Sequence, residues 1–440
     1  MKARWLTLLL LCLTPCVWAK SKHSLLLKNG LKVYVIEDHR APVVHVSLWY
    51  RVGSADEAGG KTGLSHMLEH MLFRGTQTTK DGEYIEQINR LGGKMNAMTT
   101  RDFTMYYSTV PLKGLSTVLR LEADRMRKLK VSKTLLHRER EVVKEERQMR
   151  VTDNPNGVLT EYLNGTAFMS SPYHHPVIGW PQDVASYTVS DLQSWYNKWY
   201  QPNNATLVLV GDVDLKTIKK QVTKYFAKIP ASKAVHHQQR PEVSFLGKKR
   251  FLIHYRANVA LLNMGYLVPG LSQASPSWKA YALCVLAEVL GGSESSRLDK
   301  VLVRERRIAT TATVSYYPMH RYKTLFTIGA TPSHLHSLGE VEQAINAAVE
   351  DLQEDVIDKS ELRKAQAQLI ARHVYEQDSL ANQAMQVGLP VMGGLSWQAG
   401  DWFKKRIQSV TVEQVRWAAQ HYLNKNHLTV GYLEPSYKKA

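Results

Sequence analysis

The sequence predicts an α+β protein built from two homologous α/β domains, each with a mostly antiparallel or mixed sheet and flanking helices. The main observation is a duplication: TVSDLQSWYNKWYQPNNATLVLVGD (188–212) matches TVEQVRWAAQHYLNKNHLTVGYLEP (411–435), about 220 residues later in a chain of 440. A second observation is that most predicted strands alternate polar and apolar residues and are separated by helices. Such alternation indicates sheets that have helices packed on one face.

Each copy of the repeat predicts the same local elements. In both copies, Thr-Val followed by a polar pair indicates the N-cap of a helix, an Asn-containing turn follows, and a β-branched strand ends the segment. A second pair of segments agrees, because the strand 43–54 and the helix 65–75 match the strand 260–270 and the helix 282–292 in the same order. The two pairs together predict two similar domains of roughly 200 residues each.

The N-terminus predicts a secretory signal peptide. Lys2 and Arg4 form a basic start, an apolar stretch spans 6–17, and a cleavage site follows at about Ala19. The alternative is an uncleaved membrane anchor, which is disfavoured because the apolar run is shorter than the roughly 20 residues that a membrane span requires. We therefore expect a soluble, exported protein of the periplasm with no stable membrane insertion.

The rest of the chain is predicted to divide at a polar segment that contains two prolines. This segment, PASKAVHHQQRPEVSFLGK, lies between the two copies of the repeat and is interpreted as a linker, although a surface loop within one domain could have the same composition. The predicted boundaries are a signal peptide at 1–19, an N-terminal domain at 20–229, a linker at 230–248 and a C-terminal domain at 249–440.

Cysteine usage and charge exclude some classes of protein. Loss of the signal peptide removes Cys12 and Cys16 and leaves Cys284 alone, which excludes a disulfide-stapled scaffold. Cys284 lies in an apolar stretch and is interpreted as a core residue.

The net charge is +18, or about +16 without Lys2 and Arg4, and it favours acidic partners. Because the basic residues are spread along the chain, we interpret the charge as a surface property and expect no nucleic-acid partner.

The repeat isolates three ionisable residues in the helix of the first copy. His66, Glu69 and His70 interrupt the otherwise apolar run LSHMLEHMLF. The matching positions of the second copy are all apolar, namely Leu283, Leu286 and Ala287. The fold therefore does not require charged groups there, and buried histidines and a buried carboxylate are costly unless they have a partner.

The spacing of these residues is typical of a metal site. His66 and His70 are four residues apart, so they share one helix face and both could reach a single cation at the roughly 2 Å that zinc requires. Glu69 would project beside the metal, where it could accept a proton from a metal-bound water. The pattern is H-x-x-E-H, the reverse of the commoner H-E-x-x-H. The alternative is that two histidines at this spacing are ordinary core or surface residues.

A third ligand is predicted in a charged helix further along the chain. The residues that share its inward face by their 3, 4 and 7 spacing are Glu139, Val142, Val143, Glu146 and Met149. Glu146 is the candidate ligand, Glu139 is the carboxylate that would support the site from behind, and Glu145 points elsewhere. The alternative is that this helix is a solvated charged face, as most such helices are.

Two motifs resemble a known family. HMLEHMLFRGT (66–76) and ERxVVxxE (139–146) resemble the inverted-zincin peptidases of the pitrilysin, insulin-degrading enzyme and mitochondrial processing peptidase family, most closely its small-chain bacterial branch. The resemblance covers essentially the whole mature chain, including the duplicated domain.

The resemblance implies a zinc metalloendopeptidase with one Zn²⁺ per chain. His66, His70 and Glu146 match the family's zinc ligands, Glu69 matches its general base, and Glu139 matches its supporting acidic residue. The N-terminal domain would then be the catalytic zinc-binding domain, and the C-terminal domain would be its homologous counterpart without metal.

The resemblance also implies a mode of substrate binding and assembly. Asn96 and Ala97 would contact the backbone of a peptide substrate by strand addition. The two domains would form half of a clamshell, and two chains would close around an unfolded peptide. The chain departs from the family at an Arg–Tyr pair that contacts substrate, because Arg304 is present but Thr311 replaces the tyrosine. Either a heterodimer with a homologous chain that supplies the pair, or a homodimer that works without the tyrosine, is consistent with this departure.

Together these observations predict a zinc-dependent endopeptidase that hydrolyses unfolded peptides or a precursor in the periplasm. The first alternative is a catalytically inactive peptide-binding or assembly subunit of a dimeric complex. The second is a structural zinc protein, which would need a fourth protein ligand. The third is a binder of nucleic acid or membrane surfaces, which only the net charge suggests.

Overall fold

A computed structural model gives the fold of most of the chain. The described residues are 21–233, 237, 241–243, 247–355 and 357–436. The predicted signal peptide and parts of the predicted linker lie outside them. Below, the N-terminal half means residues 21–233 and the C-terminal half means residues 247–436.

The N-terminal half contains a mixed sheet of six strands. Its strands are β1 (Lys22–Leu26), β2 (Lys32–Glu37), β3 (Val43–Tyr50), β4 (Lys94–Thr99), β5 (Thr104–Pro111) and β6 (Ala205–Gly211). Their order across the sheet is β1-β2-β6-β3-β5-β4, and only β2 and β6 pair in parallel. The sequence ATLVLVG of β6 is buried along its whole length, which suits a central strand with both faces covered.

The C-terminal half repeats five of these six strands. Its strands are β7 (Lys249–Tyr255), β8 (Leu261–Val268), β9 (Ala309–Ser315), β10 (Thr324–Pro332) and β11 (Leu428–Pro435). Their order is β7-β11-β8-β10-β9, and only β7 and β11 pair in parallel. The order and the single parallel pair match those of β2-β6-β3-β5-β4. The predicted duplication and the predicted fold class, two mixed sheets with flanking helices, are confirmed.

Helices cover both sheets. Those of the N-terminal half are α1 (Leu64–Met71), α2 (Glu83–Arg90), α3 (Leu115–Arg127), α4 (Lys133–Arg147), α5 (Pro155–Ala167), α6 (Pro181–Ser186), α7 (Val189–Trp199) and α8 (Leu215–Phe226). Those of the C-terminal half are α9 (Trp278–Gly291), α10 (Leu338–Glu354), α11 (Lys359–Glu376), α12 (Leu380–Met392), α13 (Ala399–Gln408) and α14 (Val412–Tyr422). In the described part of the chain, every helix is too short or too polar to cross a bilayer.

The helices of the repeat begin with the same local contacts, as predicted. The side chain of Thr188 accepts a hydrogen bond from the backbone of Asp191 at the start of α7. The side chain of Thr411 accepts in the same way from the backbone of Gln414 at the start of α14, and both helix starts are capping boxes. A Thr three residues before an Asp or Gln therefore fixes the first turn of the helix that precedes each central strand.

Two helix boundaries differ from the prediction. The helix predicted over 65–75 spans Leu64–Met71, and the residues after it form turns that lead to Gly75, which has a positive φ of 101° that disfavours other residues. The helix predicted over 282–292 begins earlier, at Trp278. The predicted domain boundaries remain a prediction.

Each half contributes one helix to the other half's sheet. Helix α5 of the N-terminal half packs on β8 and β11, where Leu159 contacts Leu261 and Leu433. Helix α12 of the C-terminal half packs on β3 and β6 of the first sheet, and its Gly388 lies against Trp49. This exchange covers the second face of both sheets and buries much of the boundary between the halves.

Candidate metal centre

Helix α1 holds the two predicted histidine ligands side by side. It starts after Gly63, which has a φ of 87°, and it runs through a core of leucine and methionine. His66 is buried and His70 is half-buried, and their ring centroids are 4.8 Å apart. The four-residue spacing therefore places both imidazoles on one face of the helix, as predicted.

Helix α4 brings the predicted third ligand to the same place. The Oε2 atom of Glu146 lies 3.2 Å from Nε2 of His70 and 3.5 Å from Nε2 of His66. Glu139, which is two turns earlier and fully buried, has its Oε2 atom 3.7 Å from Nδ1 of His70. Glu139 is also paired with Arg74, whose Nε lies 2.9 Å from its Oε1. The carboxylate behind His70 is thus where the sequence pattern predicts it.

The three side chains fit a zinc ion. One donor atom from each of His66, His70 and Glu146 can be chosen so that all lie within 4.8 Å of one another. Donors that are each about 2 Å from one tetrahedral ion lie roughly 3.3 Å apart, close to the 3.2 Å and 3.5 Å that separate Glu146 from the two histidines. Histidine ligands commonly donate their second ring nitrogen to a carboxylate, which is the position of Glu139 beside His70. Two imidazoles and one carboxylate form the donor set of several zinc hydrolases and leave one position open.

The electrostatics of the cluster show strong coupling among its members. Burial lowers the pKa of His66 to about 4, and the nearby His70 acts in the same direction. Burial alone would lower the pKa of His70, but its contacts with Glu139 and Glu146 raise it to about 9. The hydrogen bond with His70 lowers the pKa of Glu146. His66 is therefore neutral at pH 7, as a metal ligand must be, whereas the two carboxylates favour a proton on His70 that zinc would have to displace.

Glu69 lies beside this cluster and faces a cavity. Its carboxylate accepts a hydrogen bond from the hydroxyl of Thr99, with Oγ1 and Oε2 2.5 Å apart. Burial raises the pKa of Glu69, and the hydrogen bond from Thr99 opposes the increase. The cavity has a volume of about 1360 Å³ and is lined by the three candidate ligands, Glu69 and the strand β4.

The predicted substrate-binding residues fall in two places. Asn96 and Ala97 lie on β4, at the edge of the first sheet, and both line the cavity. Arg304 lies in the C-terminal half on a short, exposed π-helical segment (Asp299–Glu305), where its Nε donates to Asp299 at 2.8 Å. It does not line the cavity, so the structure does not bring Arg304 together with the other candidate residues. A role for Arg304 remains a prediction about an assembled dimer.

One part of the α4 prediction is wrong. Val143 and Glu139 are buried as expected, but Val142 is 42% exposed and Met149 is 66% exposed. Helix α4 ends at Arg147, so Met149 lies beyond it, and both exposed side chains line the cavity instead of the core.

Sequence reasoning also missed three residues that contact the site. They are Arg74 at Glu139, Arg150 with its Nε 2.8 Å from Oε1 of Glu146, and Thr99 at Glu69. The alternation along β4 could have indicated Thr99, because it shares a face with the core-packed Met95 and Ala97.

Two family models match the chain. Residues 32–179 match the model described as insulinase (peptidase family M16), and this segment contains all the candidate ligands and Glu69. Residues 186–369 match the model described as the peptidase M16 inactive domain. The first match lies within the N-terminal half, and the second begins in that half, before α7, and extends into the C-terminal half as far as α11.

Individual relatives agree with the family match. The chain is 32% identical over 349 residues to a protein of Helicobacter pylori named zinc protease PqqE, covering 78% of this chain and 77% of the relative. The crystal structure of a protease from Helicobacter pylori superposes with a TM-score of 0.90 at 28% identity, covering 95% of this chain and all of that one. The first half of the periplasmic protease PqqL from Escherichia coli shares the fold, with a TM-score of 0.77 at 20% identity over 94% of this chain and 91% of that one. The resemblance inferred from the two motifs is confirmed, and the chain belongs to the insulinase family of peptidases, family M16.

Proposed function

We propose that the protein is a zinc-dependent endopeptidase that hydrolyses unfolded peptides, or a precursor, after export to the periplasm. The observation that carries the proposal is the position of Glu69. Its carboxylate stands beside a cluster of three zinc-type donors, in a cavity whose wall includes an edge strand. A site with only a structural role would not need a cavity or an extra carboxylate beside the ligands.

The chain's own residues account for the proton transfers of peptide hydrolysis. His66, His70 and Glu146 would hold one zinc ion, which as a Lewis acid polarises a peptide carbonyl and makes water more acidic. Glu69 removes a proton from the attacking water as the water oxygen adds to the carbonyl carbon. When the carbon–nitrogen bond breaks, Glu69 returns the proton to the leaving amine nitrogen.

Strand β4 gives the substrate a place to bind. It pairs with β5 on one side and forms the edge of the sheet on the other. An extended peptide can add to such an edge through backbone hydrogen bonds, and the exposed Asn96 lies midway along it. Recognition of this kind selects extended, unfolded segments more than particular side chains, and it places the peptide backbone beside Glu69.

Export and assembly belong to the same proposal. The basic and apolar N-terminal residues support export with cleavage after about Ala19. The C-terminal half carries Leu283, Leu286 and Ala287 in place of the zinc motif, which supports one zinc ion per chain. We expect the active form to be a homodimer or a heterodimer with a homologous chain, and light scattering of the purified protein would measure this.

The first experiment compares hydrolysis of a mixed pool of unstructured peptides by the mature protein and by Glu69→Gln. Cleavage by the wild type and none by the variant supports a peptidase that uses this glutamate. Loss of cleavage on chelation, and its return with added zinc, supports the metal. Equal cleavage by both proteins would refute the assigned base. Zinc and peptide binding without cleavage, also in the presence of a co-purified partner, would favour the inactive peptide-binding subunit.

A further inference from the structure

Thr99 contacts the proposed base directly. It is the last residue of β4, it is half-buried, and its hydroxyl donates to Oε2 of Glu69 at 2.5 Å. Hydrogen bonds to an ionised carboxylate are shorter and stronger than neutral ones. The other oxygen of Glu69 remains available for the cavity, which Thr99 also lines.

We infer that Thr99 is a positioning residue that fixes the orientation of the Glu69 carboxylate for proton transfer. The inference rests on the proposed function, because it assigns Thr99 a role only if Glu69 acts on the substrate. A glutamate at the surface of a cavity can rotate about three side-chain bonds, and an anchored oxygen removes most of this freedom.

The residue type suits this role. A β-branched side chain has few χ1 rotamers, so the hydroxyl of Thr99 is held in one direction by its own backbone. The neighbouring inward positions of β4, Met95 and Ala97, pack against the core of the N-terminal half. An apolar residue would continue this packing at position 99, but it would leave Oε2 of Glu69 without its donor.

The turn after β4 fixes the backbone of Thr99. The hydroxyl of Thr100 accepts hydrogen bonds from the backbone N–H groups of Asp102 and Phe103, both at 3.1 Å. The carbonyl oxygen of Thr100 accepts from the N–H of Ser54 at 3.1 Å. A side chain at Gly53 would come within 2.3 Å of that same oxygen, so the two segments are in close contact.

The C-terminal half holds the same turn from the other side. Both carboxylate oxygens of the buried Asp102 have donors, namely Nε of Arg321 from the C-terminal half at 3.0 Å and the hydroxyl of Tyr173 from the N-terminal half at 2.6 Å. Nδ1 of His320 lies 2.9 Å from Oδ2 of Asp102. These contacts link the C-terminal half to Glu69 through the turn after β4, Thr99 at the end of that strand, and its hydroxyl.

The test compares Thr99→Val, Thr99→Ala and Thr99→Ser with a matched control, Thr313→Val. Thr313 is an exposed threonine on β9, the edge strand of the other sheet, and its hydroxyl faces the carbonyl of Gly329 at 3.5 Å. For each protein we would measure kcat and KM on an unstructured peptide, zinc content per chain, the melting temperature, and binding of the same peptide to zinc-depleted protein.

We expect Thr99→Val and Thr99→Ala to lower kcat about tenfold or more, because a small misplacement of a catalytic group costs rate steeply. KM, peptide binding by the zinc-depleted protein and zinc content should stay at wild-type values. Thr99→Ser keeps the hydroxyl and should retain most of the activity, and Thr313→Val should behave as wild type.

Three results would overturn the inference: unchanged kcat in both Thr99→Val and Thr99→Ala, Thr99→Ser as slow as Thr99→Ala, or loss of zinc from the variants. If the wild type is active, Glu69→Gln is inactive and the Thr99 variants are normal, only this inference fails. If the wild type is inactive, or Glu69→Gln is as active as the wild type, the proposed function fails and the inference fails with it.

Discussion

Arg321 of the C-terminal half forms a buried ion pair with Asp102 of the N-terminal half, with Nε and Oδ1 3.0 Å apart. The same guanidinium reaches Asp56, where Nη2 and Oδ2 are 2.8 Å apart. All three side chains are at most 4% exposed. One arginine thus pairs with two buried carboxylates across the boundary between the halves.

Replacing Arg321 with Met should strongly destabilise the protein, because it leaves Asp56 and Asp102 buried without their positive partner. Loss of one member of a buried pair typically costs about 3–5 kcal/mol of unfolding free energy. Urea denaturation of the mature protein measures the change. The control is Arg90→Met, since Arg90 forms an exposed pair with Glu86 whose loss should cost under about 1 kcal/mol. Equal effects of the two substitutions would contradict the prediction.

The same network predicts acid sensitivity. Burial alone would raise the pKa of Asp102, but the hydrogen bond from His320 and the charge of Arg321 outweigh it and hold the pKa well below its usual value. The pKa of Asp56 is also lowered, mainly because the charge of Arg321 and a hydrogen bond with His237 overcome the effect of burial.

For a lowered carboxylate pKa, the stabilisation is fully present above the unfolded value of 3.8 and disappears as the pH falls through it towards the folded value. We expect the unfolding free energy of the wild type to fall as the pH drops below about 5. Asp102→Asn should be less stable at pH 7 and should lose less on acidification. If the unfolding free energies of the two proteins fell equally between pH 7 and pH 3, this network would not be the cause of the acid sensitivity.

Removal of Glu146 should abolish tight zinc binding. Glu146→Gln replaces a charged ligand with a neutral amide, and we expect the affinity for zinc to fall about a hundredfold or more. Competition with a chromophoric chelator measures the affinity. Glu145→Gln is the matched control, because Glu145 is the preceding residue of α4 and is not among the clustered donors, so the affinity of this variant for zinc should stay near the wild-type value. Equal losses would mean that the ligand has been assigned to the wrong glutamate.

Gly388 should not tolerate a side chain. A Cβ atom there would lie 2.3 Å from Cζ2 of Trp49, which is fully buried, so Gly388→Ala should destabilise the protein by about 1–3 kcal/mol through overpacking. Gly165→Ala is the opposite case, because a Cβ in α5 at that position meets nothing within 4 Å. It should raise stability by about 0.5–1 kcal/mol. Thermal unfolding of both variants measures this difference in stability. A melting temperature for Gly388→Ala at or above the wild-type value would contradict the prediction.

Local chemistry made much of this protein predictable. The duplication could be recognised because Thr188 and Thr411 start the same helix–turn–strand unit, and helix caps depend on residues three positions apart. The candidate metal site could be recognised for a similar reason, since the spacing of His66 and His70 has a fixed meaning on a helix. The apolar residues at the matching positions of α9 showed that the fold itself does not require charged side chains there.

Contacts between distant segments were not predictable from the sequence. Arg321 and Asp102 are 219 positions apart, and nothing in either local sequence indicates the pairing. The apolar face of α12 shows that the helix packs on something, but it does not show that the partner is the sheet of the other half. The alternation along β4 could indicate that Thr99 faces inward, but it could not show that its partner is Glu69, which lies on a different element.

The exchange of α5 and α12 has a consequence for how the chain is made. The face of the first sheet that carries Trp49 and Val208 is covered by α12, and β6 is completed roughly 170 residues before that helix is synthesised. A nascent chain therefore has an uncovered apolar sheet surface during the synthesis of most of its second half. We therefore expect the N-terminal half to complete its packing only after residue 392 has become available.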